Sequence, residues 1–562
     1  MSGWAYDLKD LEAPRTAGIL LKGLVKLAEG RGGELLAAKF LKDIGVEALR
    51  ASPVVHGPAA EHPILRRARG LPRAEHATPP ELPAAVEHGE GWPFETAGDF
   101  AAAYQRGDTW PSEVAERLIA WQAAAEEMSP PLRAIIAQEV EDVRAEARAS
   151  TARWAAKVPL GPLDGVPIGI KDELDQAGYP TTVGTKFMGK ERAINDATVV
   201  RRLRAAGAIL YGKLNMHEIG LGVTGLNPHH GPARNPYDPA RATGGSSSGP
   251  AAAVAAGFGP ISVGADGGGS IRIPASLCGL VGLKATFGRV SEVGAAPLCW
   301  SVAHVGPLAQ DVRDCAVAYA IMAGPDRHDV NSTAQPPIDL TGWDDLDLAG
   351  LRLGVFRPWF EHADAAIVSA CDAVLEGLRA RGATVVEVHL PELALARTAH
   401  MVTITCEMVA SQIQIYAKHR RDYGHDVRLN LALSRRLTQA DYIHAQRIRV
   451  RIGEHFDEAL SHCDAIVTPS TARTAPLLPP DAFDTGESNL NDTDRIMRFA
   501  AVGNLTGLPA ITVPAGYDDD GLPIGIQFMG PAWSETRLLR LARAVEADVP
   551  RRAPKIHRRL LG

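Results

Sequence analysis

The sequence predicts an α/β fold, because short apolar segments of strand length alternate with longer segments of helix length. In the middle of the chain, residues 166–170, 208–211 and 261–263 are apolar segments of strand length, whereas residues 197–206 and 251–258 are segments of helix length. The 562 residues are 46% hydrophobic and 22% charged, which is an ordinary globular composition. Length alone allows about two to four domains.

The N-terminal region predicts two helices between residues 15 and 50, separated by a glycine-rich break at residues 30–33. Both repeat apolar residues at helical spacing with lysines between them, namely Ile19, Leu20, Leu24 and Leu27, then Leu35, Leu36, Phe40, Leu41 and Ile44. Basic amphipathic helices are typical of a membrane or partner surface. They are also typical of a cover over the protein's own core, which is the commoner arrangement.

Residues 52–95 are rich in proline, histidine and glutamate and indicate a connector along the surface. The elements predicted on either side of the central segment are helices at 97–107, 111–127, 140–156 and 312–322, a strand at 352–356, a helix at 365–381, a strand at 384–389, a mainly helical region at 392–462, a strand at 464–468, a helix at 499–505, strands at 510–514 and 524–529, and a helix at 536–545.

Lys171 closes the buried strand pattern VPIGI at residues 166–170. A lysine at a strand end can extend its ammonium group to water. Alternatively, a dry site can lower the pKa of a lysine so that it acts as a base. The spacing alone leaves both interpretations open.

The glycine- and serine-rich stretch from residue 243 to 275 carries the clearest chemical signal. Its DGGGS segment, residues 266–270, places three glycines before Ser270. Glycine lets several backbone N–H groups converge on one point, and converging N–H groups beside a serine can form an oxyanion hole. Ser270 is therefore the candidate nucleophile of an acyl-transfer enzyme, the alternative being a serine that caps a helix.

Charge and cysteine content exclude several classes of protein. The 66 acidic residues exceed the 59 basic ones, so no basic field indicates nucleic-acid binding. The six cysteines are scattered without a C-x-x-C pair, which argues against a zinc site or a disulfide scaffold. The charged N-terminus is unlike a signal peptide, and no stretch has the roughly 18 uninterrupted apolar residues of a membrane span. We therefore expect a cytoplasmic protein. Residues 15–50 are the segment through which it would also contact a membrane surface.

Three shorter motifs match known functional patterns only in part, because the residues in or around them do not fit. In the P-loop-like segment 207–213, Leu214 replaces the hydroxyl residue that would hold magnesium. The G-x-S-x-G match at residues 245–249 follows a loop, whereas a nucleophile elbow follows a strand directly. His217 begins an H-E-x-x-H pattern, but Leu221 stands at the position of the second histidine, so His217, His229 and His230 are interpreted as surface or supporting residues and not as metal ligands.

Three motifs in order, GVPIGIK, GGSSSG and DGGGS, place Lys171, Ser246 and Ser270 at separations of 75 and 24 residues. This arrangement resembles the amidase signature family, whose members use a Ser-Ser-Lys triad. Longer segments such as GKLNMHEIGLGVTG, GADGGGSIRIPASLCGLVGLKATFGR and GLPAITVPAGYDDDGLPIGIQFMG, and the front segment LEAPRTAGILLKGLVKL, are most similar to the plant-type fatty acid amide hydrolases of that family. Ser248 and Gly267 depart from the broad family but match this subgroup.

The resemblance implies a mixed sheet covered by helices, with residues 1–95 as a helical extension and connector and residues 96–562 as the catalytic domain. It implies that Ser270 is the nucleophile, that Lys171 is the base, and that Ser246 bridges them after a cis peptide bond with Gly245. It also implies oxyanion donors at Gly267, Gly268, Gly269 and Ser270, and supporting roles for Ser247, Asp266 and Arg272. Neither a cofactor nor a metal is implied.

The activity implied by the resemblance is hydrolysis of lipophilic N-acyl amides, such as N-acylethanolamines, through an acyl-enzyme. Two alternatives stay open: a generalist aryl or alkyl amidase, esterase or carbamate hydrolase, and an amidotransferase subunit. The expected partner is a small-molecule or lipid amide substrate, and a homodimer is a further expectation.

Overall fold

In the computed structural model, which describes residues 5–562 except 12, 31, 54–61, 79, 85, 87 and 90, the core is a mixed sheet of eleven strands. The described residues contain two further strands, β1 and β11, and all thirteen in chain order are β1 (Thr16–Ala17), β2 (Ile135–Ala137), β3 (Pro167–Lys171), β4 (Ile209–Leu214), β5 (Ile261–Ala265), β6 (Val281–Lys284), β7 (Val305–Ala309), β8 (Arg352–Val355), β9 (Thr384–Glu387), β10 (Ala465–Pro469), β11 (Glu487–Ser488), β12 (Ala510–Tyr517) and β13 (Pro523–Met529).

The order across the large sheet is β2-β4-β3-β5-β7-β6-β12-β13-β10-β8-β9, and β1 pairs separately with β11. β3 is parallel to both β4 and β5, whereas β5 and β7, like β12 and β13, are antiparallel. The predicted α/β fold is therefore confirmed, and so is the mixed sheet that the resemblance implied.

The helices are α1 (Gly18–Glu29), α2 (Gly33–Asp43), α3 (Val46–Ala51), α4 (Pro63–Arg67), α5 (Ala97–Arg106), α6 (Pro111–Glu126), α7 (Val140–Ala155), α8 (Thr198–Ala205), α9 (Ser248–Ala255), α10 (Arg272–Leu277), α11 (Val312–Met322), α12 (Arg357–Phe360), α13 (Ala365–Ala380), α14 (Leu393–His419), α15 (His425–Ser434), α16 (Gln439–His462), α17 (Leu490–Met497), α18 (Ala501–Thr506) and α19 (Glu535–Asp548). Short 3₁₀ turns lie at Glu218–Gly220 and Pro480–Ala482. Among the described helices, none is both long and apolar enough to cross a bilayer.

Helices cover both faces of the sheet, because successive residues of a strand point to opposite sides. On β7, Leu308 packs with Ala251 of α9 and Ala275 of α10, whereas the next residue, Ala309, belongs to the cluster that contains α11 and α19. On β10, Ile466 packs among residues of α14 and α16, whereas Val467 faces the larger cluster. The result is a sheet between two helical layers.

The main differences from the prediction lie where the local pattern is weak. β2 and β7 were not predicted as strands, since β2 has only three residues and β7 carries Gly306 and Pro307. The mainly helical region at 392–462 is three helices, α14, α15 and α16. Helix α17 was missed because most of its residues are polar, although Asn489 caps it by accepting from the backbone N–H of Asp492.

The N-terminal extension packs on the body of the protein through one face. Leu21 and Val25 of α1 and Ala37 of α2 contact Leu429 and Leu433 of α15. The predicted helical pair is present, followed by the additional helix α3. The opposite face leaves apolar side chains in solvent, with exposed fractions of 87% for Ile19, 70% for Leu20, 47% for Leu27 and 83% for Leu35.

Part of the predicted connector at 52–95 lies outside the described residues, and the proposed division at residue 95 stays a prediction.

Candidate active site

The sheet brings the predicted site residues together at the ends of two neighbouring strands. Lys171 is the last residue of β3, and Ala265 is the last residue of the adjacent parallel strand β5. Since carboxyl ends of parallel strands meet at one edge of a sheet, the loop of residues 266–271 begins beside Lys171. Ser246 and Ser270 precede the short helices α9 and α10, which pack against each other.

The Lys171 ammonium group is buried and fully hydrogen-bonded. Its Nζ donates to Ser246 Oγ at 2.9 Å and to the Ala265 carbonyl at 3.2 Å, and it lies 2.7 Å from Glu173 Oε2. The exposed fraction of the side chain is 1%. An ammonium has three N–H donors, and three acceptors surround this one. The interpretation of Lys171 as a strand-end lysine that extends its ammonium group to water is therefore wrong.

Ser246 follows a cis peptide bond with Gly245, as the resemblance implied. Its carbonyl accepts hydrogen bonds from the backbone N–H groups of His217 and Ser248, at 3.0 and 2.9 Å. Ser247 fixes the neighbouring strand end, because its hydroxyl donates to the Ala265 carbonyl at 3.2 Å and its N–H donates to the Ser270 carbonyl at 3.3 Å. These bonds tie the glycine- and serine-rich loop to the end of β5.

Ser270 presents its hydroxyl to open space. Its exposed fraction is 7%, and within the described part of the chain its Oγ has no hydrogen-bond partner. The hydrogen bond to Ser246 that a proton relay needs is not formed here, although both serines line one cavity with Lys171. Catalytic hydrogen bonds in unliganded enzymes are often long and tighten only when substrate binds.

Three backbone N–H groups near Ser270 are free to bind an oxyanion. Within the described residues, the N–H groups of Gly267, Gly268 and Ser270 have no acceptor. The N–H of Gly269 instead donates to Asp266 Oδ1 at 2.6 Å. The predicted set of four donors is therefore reduced to three in this conformation.

Close packing explains why the loop is built from glycine. A Cβ at Gly268 would lie 2.8 Å from Met497 Cε and 2.9 Å from His400 Cε1, and a Cβ at Gly267 would lie 2.8 Å from Cys299 Sγ. Contacts below about 3.0 Å are not tolerated without movement of a neighbour. His400 also holds the loop directly, because its Nε2 lies 2.8 Å from the Gly267 carbonyl.

Asp266 and Arg272 anchor the same loop through a buried ion pair. Arg272 Nε lies 3.0 Å from Asp266 Oδ2, and its other nitrogens donate to Gln527 at 2.7 Å and Asn504 at 2.6 Å. Burial opposes ionisation of Asp266, but Arg272, Lys284 and Asn504 outweigh it and hold the pKa of Asp266 well below its usual value. Asp266 and Arg272, two of the three predicted supporting residues, thus anchor the loop.

Two cavities meet at Ser270. Cavity 1 has about 1030 Å³ of empty space including its opening and runs from Ser270 to Phe40 of α2, with walls of Leu221, Met401, Ile404, Met497, Asp426, Asn430 and Glu487. Cavity 2 has about 720 Å³ and is bounded by Lys171, Ser246, Ser270, Glu173, Glu292, Leu298, Cys299 and Trp300.

Sequence reasoning missed four residues of the site: Glu173, Glu292, His400 and Asn504. Glu173 had a usable signal, since it follows Lys171 by two residues. The other three come from distant segments whose local patterns are ordinary. Among the described residues, no group of three His, Cys, Asp or Glu side chains is arranged for a metal. His217, interpreted as a surface or supporting residue, is buried, and His229 pairs with Glu218 at 2.8 Å.

The chain is similar to a known protein family and to named relatives over most of its length. The family model described as Amidase matches residues 116–539. A fatty acid amide hydrolase of Medicago truncatula is 43% identical over 458 residues, covering 80% of this chain and 75% of the relative. One from Oryza sativa subsp. indica is 39% identical over 574 residues, covering 97% and 94%.

Other relatives match a smaller part of the chain. One of them, a subunit of the glutamyl-tRNA(Gln) amidotransferase of Anaeromyxobacter sp., is 37% identical, with coverage of 74% of this chain and 89% of the relative. Among solved structures, the native peptide amidase of Stenotrophomonas maltophilia superposes with a TM-score of 0.72 at 30% identity, over 83% of this chain and 99% of that one.

Proposed function

The chain belongs to the amidase signature family and is an amide-hydrolysing serine hydrolase, and from that premise we propose that it cleaves lipophilic N-acyl amides of the fatty acid amide type through an acyl-enzyme on Ser270. The single observation that carries the proposed chemistry is the hydrogen bond from Lys171 Nζ to Ser246 Oγ at 2.9 Å, beside a Ser270 hydroxyl that faces open space.

Lys171 and Ser246 activate Ser270 in this proposal. Ser270 Oγ attacks the amide carbonyl carbon while its proton passes to Ser246 Oγ, and the Ser246 proton passes to a neutral Lys171. Ser246 then gives a proton to the leaving nitrogen and takes one back from Lys171, so the C–N bond breaks and the amine departs. Water attacks the acyl-enzyme by the same route and releases the carboxylic acid. A weak hydroxyl nucleophile needs such a base.

The N–H groups of Gly267, Gly268 and Ser270 stabilise the negative charge that develops on the carbonyl oxygen. Preorganised donors of this kind act without reorganisation at the moment of reaction, and one donor is typically worth about 10²–10³ in rate. Asp266, Arg272 and Ser247 act by holding the loop.

Cavity 1 supports an acyl group of lipid character. Its route from Ser270 to Phe40 passes Ile404, Met401 and Met497, which together offer an apolar wall. Because Phe40 belongs to α2, the N-terminal extension forms part of this wall. The likeness to the rice relative also extends over 97% of the chain and so includes the extension.

Peripheral contact with a membrane belongs to the same proposal. Ile19, Leu20 and Leu35 are largely exposed. Lys22 and Lys26 of α1 line a groove together with Arg420, Arg421, Arg428 and Glu29, of which Arg428 pairs with Glu29. Apolar side chains flanked by basic ones bind anionic lipid surfaces. The homodimer stays a prediction.

Two experiments test this function. Ser270→Ala is expected to abolish both turnover and labelling by a fluorophosphonate probe, and undiminished labelling of that variant would place the nucleophile elsewhere. A series of N-acylethanolamines from C2 to C18 is expected to show kcat/KM rising with acyl length. Loss of activity beyond short acyl groups would favour a generalist amidase, and glutamine-dependent ammonia release with a co-purifying partner would favour an amidotransferase subunit.

A further inference from the structure

We propose that cavity 2 receives the amine part of the substrate and that Glu292 makes the enzyme prefer amine parts that carry a second, positively charged nitrogen. This inference deepens the proposed function and rests on its assignment of Ser270 and Ser246.

The route of the proton decides which cavity takes the amine. The leaving nitrogen must accept a proton from Ser246, so it must lie on the side where the Ser246 hydroxyl is accessible. Ser270 lines both cavities, but Ser246 and Lys171 line only cavity 2. An acyl chain in cavity 1 and an amine in cavity 2 is therefore the orientation in which Ser246 can complete the cleavage.

Glu292 is the uncommitted carboxyl group of cavity 2. Its backbone N–H donates to Asp329 Oδ2 at 3.0 Å, which fixes the position of the residue. Within the part of the chain that the structure describes, its carboxyl group has neither a hydrogen bond nor an ion pair.

The other carboxyl groups near cavity 2 already have partners. Glu173 pairs with Lys171 at 2.7 Å. Glu407 accepts hydrogen bonds from the Ser301 N–H and the Tyr442 hydroxyl, both at 3.0 Å.

The surroundings of Glu292 make an added cation favourable. Burial, followed by the charges of Asp329, Glu173 and Glu407, raises the pKa of Glu292 well above its usual value. Burial, followed by the charges of Glu407, Glu173 and Glu292, raises the pKa of Cys299 on the cavity wall, and Lys171 opposes this shift. A bound ammonium relieves this repulsion, ionises Glu292 and pairs with it.

An amine part without a charge binds less favourably beside Glu292. A hydroxyl in place of the ammonium offers Glu292 only a neutral hydrogen bond, which is roughly half as strong as a charge-assisted one. A methyl group offers none and leaves the carboxyl group without a partner, which costs free energy. The expected order of preference is thus ammonium, then hydroxyl, then methyl.

Three isosteric substrates with one lauroyl acyl group test this order: the amides of 1,2-diaminoethane, ethanolamine and propylamine. In the unmodified enzyme at pH 8, kcat/KM for the diaminoethane amide is expected to exceed that for the propyl amide by about tenfold or more, which corresponds to about 1.4 kcal/mol. Glu292→Gln should bring this ratio close to one. Because the readout is a ratio within one variant, a general loss of activity does not obscure it. Glu191→Gln, which removes one carboxylate on the exposed surface, should keep the ratio.

The pH dependence supplies a second readout. As long as the free amine of the diaminoethane amide stays protonated, the preference for this amide should grow as pH rises through the range in which Glu292 ionises. Over the same range, Glu292→Gln should make the ratio independent of pH.

A ratio of one or less in the unmodified enzyme, or a ratio unchanged by Glu292→Gln, would overturn the inference while leaving the proposed function intact. If no lauroyl amide is cleaved, the lipid-amide function fails instead, and the same comparison with acetyl amides still decides the role of Glu292.

Discussion

Lys171 and Glu173 form a buried ion pair at the end of β3, with 2.7 Å between Nζ and Oε2 and exposed side-chain fractions of 1% and 9%. The pair has two opposite consequences for the proposed chemistry. It orients Lys171 toward Ser246, which favours proton transfer. It also commits part of the Nζ group to Glu173, which competes with Ser246 for the same nitrogen.

Replacement of Glu173 by glutamine is therefore expected to lower kcat for amide hydrolysis. Glutamine keeps the size of the side chain but removes the charge that holds Nζ in place, so Lys171 is positioned less well for proton transfer, and a misplaced catalytic group can cost up to about 10²-fold in rate. Steady-state kinetics on a soluble amide measures this loss. Glu173→Asp should restore part of kcat, and Glu191→Gln serves as the surface control. An unchanged kcat in Glu173→Gln would contradict this role of Glu173.

The free N–H groups in the loop of residues 266–271 predict what one added methyl group at Gly268 does to activity. In Gly268→Ala, the new Cβ meets Met497 Cε at 2.8 Å and His400 Cε1 at 2.9 Å. Met497 is flexible, but His400 is bound to the Gly267 carbonyl, so we expect the loop to shift with it and displace an oxyanion donor. We expect kcat to fall by about 10²–10³ while the protein stays folded. Steady-state kinetics with circular dichroism measures both quantities. Gly23→Ala is the matched control, because a Cβ at Gly23 has nothing within 4 Å. Full activity of Gly268→Ala would remove this N–H from the oxyanion site.

The ion pair between Asp266 and Arg272 predicts a large loss of stability when only one partner is removed. Arg272→Met leaves an uncompensated buried carboxylate, which typically costs about 3–5 kcal/mol of the free energy of unfolding. The double variant Arg272→Met/Asp266→Asn should recover part of that loss, since the unpaired charge is then absent. Chemical denaturation of the two variants checks both expectations, and equal stability of the single and double variants would argue against the ion pair.

The pH dependence of this stabilisation follows from the depressed pKa of Asp266. The folded protein holds the pKa of Asp266 below its unfolded value, so the unfolded chain binds more protons in acid solution. The contribution is therefore complete above about pH 4, near the unfolded pKa of aspartate, and is lost as pH falls further. Asp266→Asn should remove this part of the acid sensitivity.

The sequence predicted the parts of the site that lie in continuous motifs, and the structure explains why the rest escaped. Lys171 follows a short apolar strand, and the glycines before Ser270 are a local signature of converging N–H groups, so both were recognisable. Asn504 of α18 and Glu292 in the segment between β6 and β7 have no distinctive local pattern, and only the folded chain brings them to the site. Helical periodicity could not show whether α1 and α2 cover the core or face a membrane or partner. In the structure, one face of the pair packs on α15 and the other face is exposed.

The exposed face of α1 and α2 predicts binding to anionic vesicles. Ile19, Leu20 and Leu35 have exposed fractions of 87%, 70% and 83%, and burial of such side chains in a lipid interface contributes up to about 1.5–3 kcal/mol each. The triple replacement of these residues by serine is therefore expected to reduce the vesicle-bound fraction at least about tenfold, the factor that 1.4 kcal/mol represents.

Co-sedimentation with vesicles of phosphatidylserine and phosphatidylcholine measures this binding, and added salt should weaken it because Lys22 and Lys26 flank the apolar residues. The matched control is Ile194→Ser, which replaces a side chain of 91% exposure outside the extension and should leave binding unchanged. Hydrolysis of a short soluble amide should be equal in all three proteins, since none of these side chains lines either cavity. Equal vesicle binding by the triple variant and the unmodified enzyme would show that α1 and α2 only cover the core, and the exposed leucines and isoleucine would then have no part in reaching a lipid substrate.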